Sequence, residues 1–111
     1  MRTSALRLIL IDEDVLFAAT LAEMLRDAGY RITGVATSWA SAARLAAESH
    51  PEIAVVHAAQ FPGPGDPAVT HMLETGAAPL TCDRTHREQV VGHVLQALAL
   101  LEFIDSHGAT H

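Results

Sequence analysis

The stretch Pro51–Gly65, PEIAVVHAAQFPGPG, constrains this chain more than any other. Within it, Ile53–Val56 is a short apolar run rich in β-branched residues, with Pro51 before it and a Pro/Gly cluster after it. Such a run reads as a strand buried on both faces, the central strand of a parallel sheet. In open α/β sheets, sites lie in the crevice beyond the carboxyl ends of the strands. His57 stands at that end of the run and marks where chemistry is expected.

The remainder of the chain supplies the partners such a strand needs. Leu6–Ile11 (LRLILI) is a second buried-strand candidate, followed by Asp12-Glu13-Asp14. Val15, Leu16, Ala19, Leu21 or Ala22, and Leu25 recur at helical spacing, with Asp14 placed to cap the helix and Gly29 to end it. Arg31–Ala36 reads as a strand, and Trp39–Ser49 as an Ala-rich helix capped by Thr37 or Ser38 and stopped by Pro51. Phe61–Pro67 is a loop, Pro67–Thr75 a short helix opened by Asp66-Pro67, and Ala78–Cys82 a weak fourth strand. A final helix is expected from near residue 85 to near residue 105, capped within Asp83–Thr85. The alternation implies one α/β domain, a doubly wound parallel sheet covered on both faces.

A length of 111 residues fits that single domain, and a hydrophobic content of 50% suffices for its core. The net charge of −6 argues against a general nucleic-acid binder, because phosphate contacts need clustered cations. All 7 cations are Arg; there is no Lys. One Cys forms no internal disulfide and no stretch reads as a signal peptide, so the cytoplasm is the expected compartment. No apolar run has the length of a membrane span, and no membrane partner is expected.

The segments LILIDED, LRDAGY, PEIAVVH and GAAPLTCDRTHREQVVGHVLQAL together resemble a response-regulator receiver domain of two-component signalling. The resemblance covers nearly the whole chain and implies the flavodoxin-like receiver fold. It also implies a site of three carboxylates, two holding Mg²⁺ and one accepting a phosphoryl group. Asp12 and Glu13 match the metal-holding pair, the acceptor position falls on His57, and the family's Lys falls on Cys82 or Asp83. An imidazole cannot form an acyl phosphate and prefers softer metals than Mg²⁺. Without the Lys, nothing neutralises a bound phosphoryl group. Standard receiver chemistry is therefore expected to be absent, with no cofactor beyond weakly held Mg²⁺.

The chain is also short for that family, with four expected strands and one βα unit missing. In one alignment Pro67–Thr75 matches the family's fourth helix and Ala78–Cys82 its fifth strand. In the other, Ala78–Cys82 is the fourth strand with Thr81 as the switch hydroxyl. The first is favoured, since GAAPLT before a long amphipathic helix looks like a receiver's end. Along that helix Val90, Val94, Ala97, Leu101 and Ile104 repeat in a 4-3-4-3 pattern, and Val91, Leu95, Leu98, Leu100 and Phe103 widen the apolar surface. A homodimer through Val94, Leu98, Leu101 and Ile104 is expected, the alternative being that these residues fold back on their own core.

Other residues read more plainly. Acids at the start of a helix are favourable by ~0.3–1 kcal/mol each without any metal. Cys82 reads as a small hydrophobe rather than a redox thiol. His50, His71, His86 and His93 read as idle surface residues, Trp39 as packing at a helix start, and His107–His111 as a frayed tail. The expected function is a non-enzymatic signalling module that binds itself or another signalling protein. The alternatives are a phosphorelay receiver used by an atypical route, or a metal or ligand sensor built on Asp12, Glu13 and His57.

Overall fold

The computed structural model describes residues 6–63, 65–82 and 87–108; of residues 87–88 and 104–108 it describes the backbone alone. Four strands form one parallel sheet: β1 (Arg7–Ile11), β2 (Arg31–Ala36), β3 (Ile53–His57) and β4 (Ala78–Cys82). Their order is β2-β1-β3-β4. This is the flavodoxin-like order 2-1-3-4-5 without its last strand. β3 lies inside the sheet and every one of its residues is buried, as its unbroken apolar run requires.

Helices cover both faces. α1 (Val15–Asp27) and α4 (Arg87–Gly108) pack over Leu8, Leu10, Ile53 and Val55, while α2 (Trp39–Ser49) and α3 (Pro67–Glu74) pack over Ile9, Ile11, Ala54 and Val56. The split follows from the pleat, since alternate strand residues face opposite sides. Caps set the helix starts. Asp14, Ser38 and Asp66 each accept a backbone N–H of the first turn, and Pro67 opens α3 at a position that needs no donor.

α1 differs from the expected phase. Its buried residues are Phe17, Ala18, Leu21, Ala22 and Leu25, whereas Val15 is 58% and Leu16 81% exposed. Leu16 falls on the side of the helix opposite the buried stripe, and Val15 lies at its flank. The β1–β2 pairing also carries a bulge. Leu8 pairs with Ile32 and Ile9 with Gly34, leaving Thr33 extra, and its hydroxyl donates to the Leu8 carbonyl at 3.2 Å. A Cβ on Gly34 would lie 3.1 Å from Leu45 Cδ1, so the bare backbone is what lets α2 approach.

β4 takes the place beside β3, and the place left without a strand is the fifth. The Ala78 N–H donates to the Glu52 carbonyl at 3.0 Å, so Ala78 faces β3 and Pro79 faces the free edge. A proline there lacks the N–H that a further strand would use, which suits an edge.

α4 has 22 residues, a length of roughly 33 Å at 1.5 Å per residue. Val90, Val94 and Leu98, four apart, are buried against α1 and the sheet. The expected dimer residues Val94 and Leu98 are thus corrected: they belong to the domain's own core, because a spacing of four keeps them on the face turned to α1. Leu100 at 59%, Leu101 at 36% and Phe103 at 58% remain exposed. Ile104 is helical, but its side chain lies outside the described residues, as do Asp83, the expected cap within residues 83–85, His86 and the tail beyond residue 108. No described helix is long and apolar enough to cross a membrane.

Tyr30, which leads into β2, joins this helix to the sheet. Its phenol donates to the Glu102 carboxylate, and burial, then that bond and the nearby negative charge, push its pKa up to about 12. The fold therefore favours the neutral phenol. Its contribution is complete below pH ~10, where a free phenol starts to ionise, and is lost as the pH rises toward about 12. Tyr30 is the only Tyr in the chain, so ultraviolet absorbance reads it directly. Glu102→Gln is expected to move the titration midpoint back toward that of a free phenol, and an unmoved midpoint would refute the pairing.

Candidate functional site

The crevice at the carboxyl end of the sheet follows from strand register. Ile11 pairs with Val56 and His57 with Cys82, so the next step of the β1–β3 register brings Asp12 abreast of His57. Two residues earlier, Leu10 and Val55 lie in the core under α1 and α4, and Leu80 packs against it. By the period of two, Asp12, His57 and Cys82 form a row on that same side. Asp12 thus follows β1, while His57 and Cys82 end β3 and β4.

Their chemistry differs from that of a phosphorylation site. Asp12, 4% exposed, and His57, 9% exposed, are the two buried polar residues among those described. Asp12 Oδ1 accepts the Asp14 N–H at 2.8 Å, and Asp14 Oδ1 accepts the Phe17 N–H at 3.1 Å. The buried acid thereby helps turn the chain into α1. Glu13 is exposed. His57 Nδ1 is buried with no hydrogen-bond partner among the described residues. Such a group costs about 1–3 kcal/mol. Cys82 is half-buried and packs against the core.

Mg²⁺, which the resemblance implies, is a poor fit to these residues. It asks for near-octahedral oxygen donors. Here the buried side chain at the end of β3 is an imidazole, and among the described residues no three His, Cys, Asp or Glu side chains come together to hold a metal. The same observation leaves Asp12, Glu13 and His57 short of a sensor's metal site.

The sequence reading passed over Gln60. A single 3₁₀ turn, Ala58–Gln60, follows β3 and carries this side chain back across the crevice. Gln60 Oε1 accepts the Glu13 N–H at 2.6 Å, and Gln60 Nε2 donates to the Thr37 carbonyl at 3.2 Å. The Trp39 indole donates to the Gln60 carbonyl at 2.8 Å, and the Trp39 and Phe61 rings meet at 6.1 Å. A lone Gln in a loop has no periodicity or motif to signal such a role. Elsewhere, His50 caps α2 in the left-handed region at φ 50°, and His71 and His93 are exposed. His93 lines an open groove of about 780 Å³ beside the free edge of β4, with Leu80, Thr81, Val90, Ala97 and Leu100.

No family model and no curated protein matches the sequence significantly. Solved structures do. The anti-anti-sigma factor PhyR from Bartonella quintana is 15% identical, with 96% of this chain aligned to 53% of that one at a TM-score of 0.66. The signal receiver domain of a modulated diguanylate cyclase from Desulfovibrio desulfuricans G20, described as an example of alternate folding, is 19% identical over 83% of this chain and 75% of that one, TM-score 0.59. The receiver domain of the putative response regulator NarL from Mycobacterium tuberculosis is 21% identical over 83% of this chain and 94% of its own, TM-score 0.53. The chain thus spans most of the isolated receiver domains but about half of PhyR. With its parallel β2-β1-β3-β4 sheet and its carboxyl-end crevice, this chain has the fold of a response-regulator receiver domain, shortened to four strands.

Proposed function

We propose that this protein is a receiver-type signalling module that acts through protein contacts and takes no phosphoryl group in its crevice. One observation carries the reading: the buried polar group at the end of β3 is the His57 imidazole, in a chain with no Lys. An imidazole in that position gives no acyl phosphate, and no ammonium is available to balance the charge of one. Fold relatives support a contact role, since PhyR from Bartonella quintana has been crystallised with the anti-sigma factor NepR. The module is non-enzymatic in this reading, and the acids at the start of α1 serve the helix rather than a metal. The contact surface is the exposed end of α4, with Leu100, Leu101 and Phe103, and self-association through it is the proposed state.

The test is direct. The protein is incubated with Mg²⁺ and a small phosphodonor, or with beryllofluoride, and followed by intact mass and amide NMR. Unchanged mass and unmoved crevice resonances are expected. A stoichiometric adduct located in the crevice, or saturable beryllofluoride shifts of the crevice resonances, defeats the proposal.

A further inference from the structure

We propose that the Gln60 carboxamide is a permanent brace that locks the three crevice loops together, the bridging task for which these residues cannot recruit a cation. Glu13 follows β1, Thr37 follows β2 and Gln60 follows β3. One neutral side chain joins all three, accepting from Glu13 N–H at 2.6 Å and donating to the Thr37 carbonyl at 3.2 Å. The brace is itself held. The Trp39 indole fixes the Gln60 carbonyl at 2.8 Å, the Phe61 N–H closes the 3₁₀ turn on the Ala58 carbonyl at 3.2 Å, and the Phe61 ring lies against Trp39.

The chemistry of the group sets the consequence. A carboxamide offers an acceptor and donors on one rigid plane, so a single residue satisfies a backbone donor and a backbone acceptor from two different loops. It does not titrate, and no ligand has to arrive or leave. The loops are therefore held in one arrangement. Around them stand exposed apolar residues: Val15 and Leu16 at the start of α1, Ala58 and Ala59 beside the brace, and Pro62 beyond it. The brace favours one arrangement of the loops that carry this rim. None of this depends on whether His57 excludes a phosphoryl group, so the two proposals fail separately.

The experiment is amide hydrogen exchange by NMR on the full chain, unphosphorylated, comparing wild type with Gln60→Ala and Gln60→Glu. Glu13 is exposed, so protection of its amide reports the bond to Gln60. In Gln60→Ala the Glu13 amide is expected to exchange about ten-fold faster, with a shift of the indole N–H of Trp39, the only Trp. The Leu8–Ile11 amides should keep their rates. Gln60→Glu retains the acceptor for Glu13 but sets a carboxylate against the Thr37 carbonyl. It should keep Glu13 protected while moving the resonances around Thr37. Mg²⁺ added to wild type should move neither the Glu13 nor the Trp39 signal. A Glu13 amide equally fast in wild type and Gln60→Ala would overturn the brace. So would acceleration of Glu13 and the β1 amides together in both variants, or a saturable Mg²⁺ shift of the Glu13 and Trp39 signals.

Discussion

Leu98→Ala is expected to lower the folding stability by about 2–5 kcal/mol, the range for a fully buried leucine that leaves a cavity. Leu98 has no exposed surface and meets the residues of α1 and the sheet core. For a domain of this size each kcal/mol moves the melting temperature by roughly 4–8 °C. The total available is only about 5–15 kcal/mol, so this variant stands close to unfolding at ordinary temperatures. Three residues along the same helix, Leu101→Glu is expected to change the stability of the single chain by no more than about 0.5 kcal/mol, apart from any stabilisation that association supplies. It should instead reduce the particle seen by light scattering to the mass of one chain. The contrast separates the two uses of α4. Chemical denaturation reads the first, and if Leu98→Ala unfolds at the wild-type denaturant concentration, the helix is not seated as described. An unchanged particle mass in Leu101→Glu would remove the helix end as a contact.

His57→Asp is expected to weaken the fold at neutral pH without restoring phosphorylation. The new carboxylate would replace a side chain that is 9% exposed, with the 4%-exposed Asp12 on the neighbouring strand. Burial and a like charge both raise a carboxyl pKa, and a shift on the order of two to three units corresponds to ~3–4 kcal/mol. The sign follows from the raised value. The folded state prefers the protonated acid, so stability is retained below pH ~4, near the pKa of the unfolded chain. It is lost as the pH rises through the folded pKa. Denaturation midpoints measured from acid to neutral pH should therefore fall for His57→Asp relative to wild type. A variant as stable as wild type at neutral pH would mean that the crevice already supplies a cationic partner. Phosphorylation of the variant by a small donor would mean that the missing Lys does not block the reaction.

The imidazole explains why the crevice was legible from residues alone. A buried β-branched run ending in His57 has one plausible place in a parallel sheet, and acids after a second such run have one plausible place beside it. Register then turns adjacency in the sheet into neighbours in space: His57 pairs with Cys82, and Asp12 follows Ile11, the partner of Val56. Gln60 was invisible for the opposite reason. Its partners lie 47 and 23 residues away, and they are backbone groups that any residue could present. The outward residues of α1 differ from the expectation because two overlapping apolar sets share the helical spacing, and only packing against the sheet selects Phe17, Ala18, Leu21, Ala22 and Leu25 as the buried one. Val15 and Leu16 keep an apolar identity with no core to enter.

The last helix shows the same division. Its apolar residues are too many for one stripe, and that excess was readable along the chain. Which of them serve the core was decided by packing. Only when α4 lies against α1 do Val90, Val94 and Leu98 become interior while Leu100, Leu101 and Phe103 face outward. By itself, the order of residues determined the alternation of strands and helices, the four-stranded extent of the sheet and the histidine at the end of β3. These depend on local periodicity and residue identity. The tertiary structure alone decided the seating of α4, the edge facing of Pro79 and the bridging by Gln60, because each arises where distant segments meet and their backbone groups must be satisfied together.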